Sequence, residues 1–329
     1  MVARAWGERV DTKKSDRASG AMRAAMPAES IRGVEEMFVQ NDTVSLCLLL
    51  NRRNKTMRVI DFRAGPSLAK RAFVLNLAER EGIEKVYTLV ERDEVSTWIK
   101  LGFTKEGNIP CFYKRSDAFM LGCSVGAALA GDVRLPIVDD DDDDPIVEEP
   151  SAAHDFAEKT LVHAKKHAKE LLDRPLPVTK LAVVRENDVK KTVERAVRTG
   201  HALTAFEPFG RDVERRFFQV TGRGNFELIA STESQSCFAN AFLELLVGPK
   251  TEAERLATIS SLRTICDKLF AEQVVSCFAL GPSDDVALST AFVWNGFRRT
   301  GLLQNHVAVG GERKDLIIWS RKLANPAGE

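Results

Sequence analysis

The stretch LPIVDDDDDDPIVEEPSA constrains this chain more than any other feature. Six consecutive aspartates, Asp139 to Asp144, repel one another, and Pro145, Glu148, Glu149 and Pro150 follow at once. Such a run cannot enter a packed core, so it separates the 329 residues into two folded parts. That length also fits two domains. The run lacks the glycine turn and alternating ligands of a calcium-binding loop, so it reads as a linker.

Charge narrows the choice of partners. Lys plus Arg and Asp plus Glu number 47 each, giving a formal net charge of zero. Nothing in that balance calls for nucleic acid or an anionic membrane. Low net charge permits self-association, so a homodimer is an expectation. Cys47, Cys111, Cys123, Cys237, Cys266 and Cys277 are scattered and form no CxxC pair. They read as reduced thiols of a cytoplasmic protein. His163 and His167 lie four apart on a lysine-rich helix, and no metal is expected there. Residues 1–28 have no apolar signal region and read as a disordered leader, with Met22, Met26 and Met37 as alternative starts. No run approaches the roughly 18 apolar residues of a membrane span.

The first folded part spans 29–131. Residues 44–51 and 56–62 are rich in Val, Ile and Leu and read as strands. Residues 67–81 read as a helix, with Leu68, Ala72 and Leu75 on one line and Val74, Leu77 and Ala78 beside it. A strand at 83–90, a short helix at 92–101 and a hairpin of 103–106 with 109–116 complete the unit. After the linker, 132–151, an amphipathic linker helix occupies 152–175, with Ala157, Leu161, Ala164, Ala168 and Leu171 as its apolar stripe. The second part, 176–329, offers a helix at 187–199, strands at 215–220, 225–231 and 236–247, and a helix at 252–272. A strand at 274–280, a helix at 284–295 and strands at 302–309 and 314–320 follow.

Both parts finish in one order: strand, helix, strand, short helix, hairpin. The joins echo one another as well. One strand leaves through Arg63-Ala64-Gly65-Pro66, the other through Leu246-Val247-Gly248-Pro249. The short helices end in Trp98-Ile-Lys-Leu-Gly-Phe103 and Trp294-Asn-Gly-Phe297. Two such matches in the same element order point to an internal duplication.

This order, with Leu-Gly-Phe after the short helix, resembles the C-terminal half of GNAT acetyltransferases. LGFTKEGNIPCFYKRSDAFMLG (101–122) is similar to the end of the β-lysine N-acetyltransferases, and residues 295–323 resemble the end of other GNAT proteins. The resemblance implies an α/β (α+β) fold of two GNAT-like modules, each a mixed, mostly antiparallel sheet flanked by helices. It implies an N-acyltransferase that moves an acetyl group from acetyl-CoA directly to a small amine or amino acid. It also implies that the cofactor sits between two splayed strands, its pyrophosphate at a loop that opens a helix. Unpaired N–H groups at a helix start can grip phosphate oxygens, and glycine lets the backbone approach.

In the first module that loop corresponds to Arg63, Gly65, Ser67, Leu68 and Lys70. Ser67 stands where the family has its second glycine, and Pro66 removes one donor. Ser67 also reads as an ordinary helix cap. The second loop, Gly248 to Glu254, has no glycine pair, and Glu252 and Glu254 oppose a diphosphate. The family's usual tyrosine on the short helix is missing; residues 92–101 offer Asp93, Glu94, Ser96 and Trp98. Of the two tyrosines, Tyr113, in the segment similar to the β-lysine acetyltransferases, is the candidate proton donor to the leaving thiolate, Tyr87 on strand 83–90 is a similar case, and Glu91 and Asp93 are candidate proton acceptors. Glu36, Asp61 and His306 are further candidate bases. The alternative is a catalytically degenerate GNAT-like scaffold that senses a ligand or binds a protein partner.

Overall fold

The computed structural model describes residues 34–41, 44–61, 65, 67–113, 116–131, 151–203, 213–235 and 238–324. The leader 1–28, Arg63 and the aspartate run lie outside the described residues. The first module opens with β1 (Val34–Gln40), β2 (Ser45–Asn51) and β3 (Thr56–Asp61), followed by α1 (Leu68–Arg80) and β4 (Lys85–Val90). A 3-10 turn at Arg92–Glu94 runs into α2 (Val95–Lys100), and β5 (Thr104–Ile109), β6 (Ala118–Ser124) and α3 (Val125–Ala130) close it.

From residue 151 onward come α4 (Ala152–Glu170), β7 (Thr179–Val184), α5 (Glu186–Arg198), β8 (Glu214–Gly222) and β9 (Glu227–Gln235). Then follow β10 (Asn240–Leu245), α6 (Glu252–Ala271), β11 (Ser276–Pro282), α7 (Val286–Trp294), β12 (Arg298–Val309) and β13 (Glu312–Lys322). Among the described residues, no helix is long and apolar enough to cross a membrane.

Two tandem α/β modules result, each a mixed, mostly antiparallel sheet flanked by helices. In the first the strand order is β1-β2-β3-β4-β6-β5, and from the far edge the second reads β7-β8-β9-β10-β11-β13-β12. Each has one parallel pair, β3 with β4 and β10 with β11. The stripe on α4 is buried as its spacing predicts, and Ala157, Leu161 and Leu171 join the core of the second module.

The two sheets merge into one of 13 strands through β5 and β12. The bridge is Gly107 opposite Gly301. A Cβ on Gly107 would lie 2.6 Å from the Gly301 Cα, and a Cβ on Gly301 would lie 2.6 Å from the Gly107 Cα. Only glycine permits this approach. Each glycine follows a left-handed glycine and a phenylalanine in the same pattern, Gly102-Phe103-x-x-x-Gly107 and Gly296-Phe297-x-x-x-Gly301. Both strands also shift register just before their glycine, between Lys105 and Gly107 and between Arg299 and Gly301. Equivalent residues of the two modules therefore meet across a pseudo-twofold axis.

The duplicated helix ends match in detail. The Phe103 N–H donates to the Trp98 carbonyl at 3.1 Å, and the Phe297 N–H donates to the Phe292 carbonyl at 3.1 Å. The rings of each pair pack edge to face, with centroids 4.8 and 5.2 Å apart. This is the glycine-terminated stop with its hydrophobic clasp. It also corrects the sequence alignment: the counterpart of Trp98 is Phe292, not Trp294.

Other expectations need correction. The second strand of the first hairpin is 118–124, not 109–116. Pro110 lacks an N–H, and Asp117 ties the intervening turn by accepting from the Cys111 N–H at 2.9 Å and from the Asn108 amide at 3.1 Å. Of the expected strand at 236–247, β10 takes only Asn240–Leu245, after a turn with Ala239 at φ 52°, and residues 236 and 237 lie outside the described residues. Leu68 is not in the core: it opens α1 and is 66% exposed. The strands β1 and β7 and the helix α3 were not legible from apolar periodicity, because β1 and β7 are half-exposed edges and α3 is a single short segment.

Gly107→Ala is expected to destabilise the protein by about 1–3 kcal/mol through overpacking. Gly126→Ala, where an added Cβ meets nothing within 4 Å, should be neutral or stabilising. Denaturant unfolding of both variants measures the difference.

Candidate active site

In both modules the parallel strands part before they end. Pairing of β3 with β4 runs from Thr56 opposite Lys85 to Val59 opposite Thr88, leaving Ile60, Asp61, Leu89 and Val90 beyond the last pair. The Thr88 hydroxyl donates to the Val59 carbonyl at 2.9 Å at the point of parting. Pairing of β10 with β11 stops likewise at Leu243 opposite Ala279. Carboxyl ends of parallel strands that lead into a helix are where α/β sheets receive ligands.

The helix mouths beyond these strands differ. At α1, the Ser67 hydroxyl caps the helix by accepting from the Lys70 N–H at 3.3 Å. No acidic residue lies in the first turn of α1. Gly65 has φ 121°, and a Cβ there would meet nothing within 4 Å, so the backbone faces open space. Leu68 is exposed beside it. Lys70 does not point outward: its buried ammonium donates to the Gly65 carbonyl at 2.9 Å and pairs with Asp61 at the end of β3. Arg63 lies outside the described residues. The structure thus brings Gly65, Ser67, Leu68 and Lys70 to one mouth, with Lys70 bracing the loop from within.

The mouth of α6 is occupied by the protein's own carboxylates. Thr251 caps the helix by accepting from the Glu254 N–H at 3.2 Å. In return Glu254 accepts from the Lys250 N–H at 2.7 Å. Glu254 thus takes up the amide just before the cap, one that an anion would otherwise find. A Cβ on Gly248 would lie 2.5 Å from an Asp285 carboxylate oxygen. Burial raises the Asp285 carboxyl above its usual range. Two carboxyl groups therefore border this second mouth.

Tyr113 stands near the parted ends of the first module. It feels the charges of Arg58, Glu91 and Glu94, and burial pushes its phenol up to about 12. The hydroxyl consequently stays protonated at neutral pH. Glu91 and Asp93 are exposed on the turn that follows β4. Glu94, on the same turn, is half-buried, and its carboxyl is raised, chiefly by burial, with Asp93, Asp61 and Glu91 adding repulsion. A carboxyl moved toward neutrality is better suited to exchange a proton than an exposed one, so Glu94 joins Glu91 and Asp93 as a candidate acceptor. Asp61 is engaged by Lys70, and Glu36 accepts from the Cys47 thiol at 3.2 Å. His306 is not in a cleft. It is buried at the module junction with its ring edge on Tyr87, centroids 4.7 Å apart, and burial holds it neutral.

A cavity of about 1370 Å³ opens at the other end of β4, bordered by Lys85, Glu106, Gln304 and Arg313. It lies by the amino end of the strand, away from the parting and the α1 mouth. At its edge Lys85 donates to both oxygens of Glu106 at 2.7 Å and to the Gln304 carbonyl at 2.5 Å, which ties the modules together. Among the described residues no group of three or more His, Cys, Asp or Glu is arranged to hold a metal ion.

No protein-family model matches the sequence, and no curated protein matches it. Similar solved structures include the ribosomal-protein-S18-alanine N-acetyltransferase from Escherichia coli, at 19% identity and a TM-score of 0.35, covering 46% of this chain and 97% of that one. Another is the spermidine N-acetyltransferase from Vibrio cholerae in complex with CoA and spermine, at 11% identity and a TM-score of 0.36, covering 46% of this chain and 98% of that one.

Lys70→Met removes the ammonium that pairs with the buried Asp61 carboxylate and is expected to cost about 3–5 kcal/mol. Asp61→Leu combined with Lys70→Met should recover most of that loss. Urea unfolding of the single and double variants measures it.

Proposed function

We propose that the chain is an acetyl-CoA-dependent N-acyltransferase whose first module carries the cofactor and the chemistry. The observation that carries this reading is the contrast between the two helix mouths: α1 has no acid in its first turn, whereas Glu254 fills the start of α6. Diphosphate would lie against the free amides at the start of α1, with Gly65 giving room and Arg63 supplying charge. Exposed Leu68 would cover an apolar part of the same ligand.

Acetyl-CoA supplies an activated acetyl thioester. Glu91, Asp93 or Glu94 takes a proton from the incoming ammonium, so that the amine can attack. The carbon–nitrogen bond forms as the carbon–sulfur bond breaks; Tyr113 donates its proton to the departing thiolate, and the second proton shed by the nitrogen as the amide forms restores the phenol. Direct transfer needs no covalent protein intermediate. A small amine or amino acid is the proposed acceptor, and the acids beside Tyr113 suit a cation.

One observation favours a second reading, that of a ligand-sensing or interaction scaffold. Lys70 folds across the Gly65 loop and spends its ammonium on Asp61 and a backbone carbonyl, so it offers no charge to a phosphate.

The readings separate in a thermal-shift measurement with CoA and acetyl-CoA. The enzyme reading expects stabilisation of about 2.7 kcal/mol at a hundredfold excess over Kd. Ser67→Glu and Arg63→Ala should abolish it, while Glu254→Ala leaves it in place. Tyr113→Phe should keep the shift and slow thiol release about 10²-fold with an amine panel of L-lysine, β-lysine and spermidine. No shift at millimolar CoA would favour the scaffold.

A further inference from the structure

The turn that carries Tyr113 is held from both modules. From its own module Asp117 accepts from the Cys111 N–H. From the second module Asn240, the first residue of β10, donates through its buried side-chain amide to the Phe112 carbonyl at 2.6 Å. Phe238, two residues earlier, packs its ring edge to face with Tyr113, centroids 5.3 Å apart and planes at 88°. Phe238 also lies 6.0 Å from Phe112, which in turn lies 5.6 Å from Phe278 of β11.

We infer that Asn240 and Phe238 are positioning residues for the chemistry of the first module, so that the second module completes the active site without binding cofactor itself. The inference rests on the acetyltransferase reading above. Packing alone does not explain Asn240. An apolar residue would fill the site, whereas a buried amide costs free energy unless paired. Here its donor is spent on the carbonyl next to Tyr113 in sequence, which fixes the height and orientation of that turn. Phe238 supplies the wall against which the Tyr113 ring rests. A displacement of about 1 Å at such a group is enough to lower turnover severely. The arrangement also accounts for retention of a second module whose own helix mouth is bordered by acids.

The test uses the full chain labelled with 3-fluorotyrosine. Tyr87 and Tyr113 are its only tyrosines, so two fluorine resonances are expected, and Tyr113→Phe assigns them. In the unsubstituted protein CoA should move the Tyr113 line. Asn240→Asp removes the donor, and Phe238→Leu removes the ring at a half-buried position with little loss of volume. In each, the Tyr113 line should shift or split and its response to CoA should fall, while the CoA thermal shift persists. With acetyl-CoA and the amine panel, turnover should drop about tenfold or more at unchanged KM for acetyl-CoA. If CoA binds normally and both variants leave the Tyr113 line, its response and turnover unchanged, the second module has no positioning role. If the unsubstituted protein shows neither a thermal shift nor a moved line with CoA, the acetyltransferase reading fails, and this inference falls with it.

Discussion

The contact between Gly107 and Gly301 governs the rest of the molecule. Two backbones meet where any side chain would collide, and the meeting joins two sheets into one. Once they meet, the faces of β4, β5 and β6 lie against those of β10 to β13. Tyr87, Ile109 and Met120 then share a core with Phe242, Phe278, Leu316 and Ile318. Polar ties follow from the same approach. Lys85 reaches the Gln304 carbonyl, Arg53 donates to the Ala308 carbonyl at 3.1 Å, and Asn240 reaches Phe112. Were the glycines further apart, these hydrogen bonds between the modules would be lost.

Joined in this way, the modules have diverged in charge while keeping their geometry. Both retain a parted parallel pair, a Ser or Thr cap and a glycine before the cap. The difference is what meets the amides. Gly65, whose carbonyl accepts from the buried Lys70, borders α1, and carboxylates border α6. A helix start attracts an anion, and Glu254 is an anion already supplied by the chain. Glutamate at the third helical position, with Asp285 beside Gly248, thus distinguishes the α6 mouth from the α1 mouth, whose first turn carries no acid.

Much of the architecture was legible because it depends on local rules. Apolar spacing marked the central helices, and the Gly-Phe pairs marked the duplicated helix stops. The Gly-Phe-x-x-x-Gly pattern was in plain view too, but its meaning depends on a contact between modules that no local rule supplies. Edge strands β1 and β7 escaped because their sequences, VEEMFVQ and TKLAVV, do not alternate apolar with polar residues. The loop pattern places Gly65, Ser67 and Leu68 together at the start of α1, where the structure has them. The inward turn of Lys70 was not legible, because a lysine on a helix surface and a lysine paired with Asp61 look alike in sequence. Glu94 was visible as a residue but not as a half-buried carboxyl, and Asn240 and Phe238 carried no signal at all. Their significance arises only when Tyr113 of the other module is beside them.

The most direct test of this asymmetry is isothermal titration of the full chain with CoA, read for stoichiometry. One site per chain, unaffected by Glu254→Lys and lost with Ser67→Glu, is the expected result. Two sites per chain, or a single site that survives Ser67→Glu and disappears with a substitution at the α6 mouth, would contradict the account.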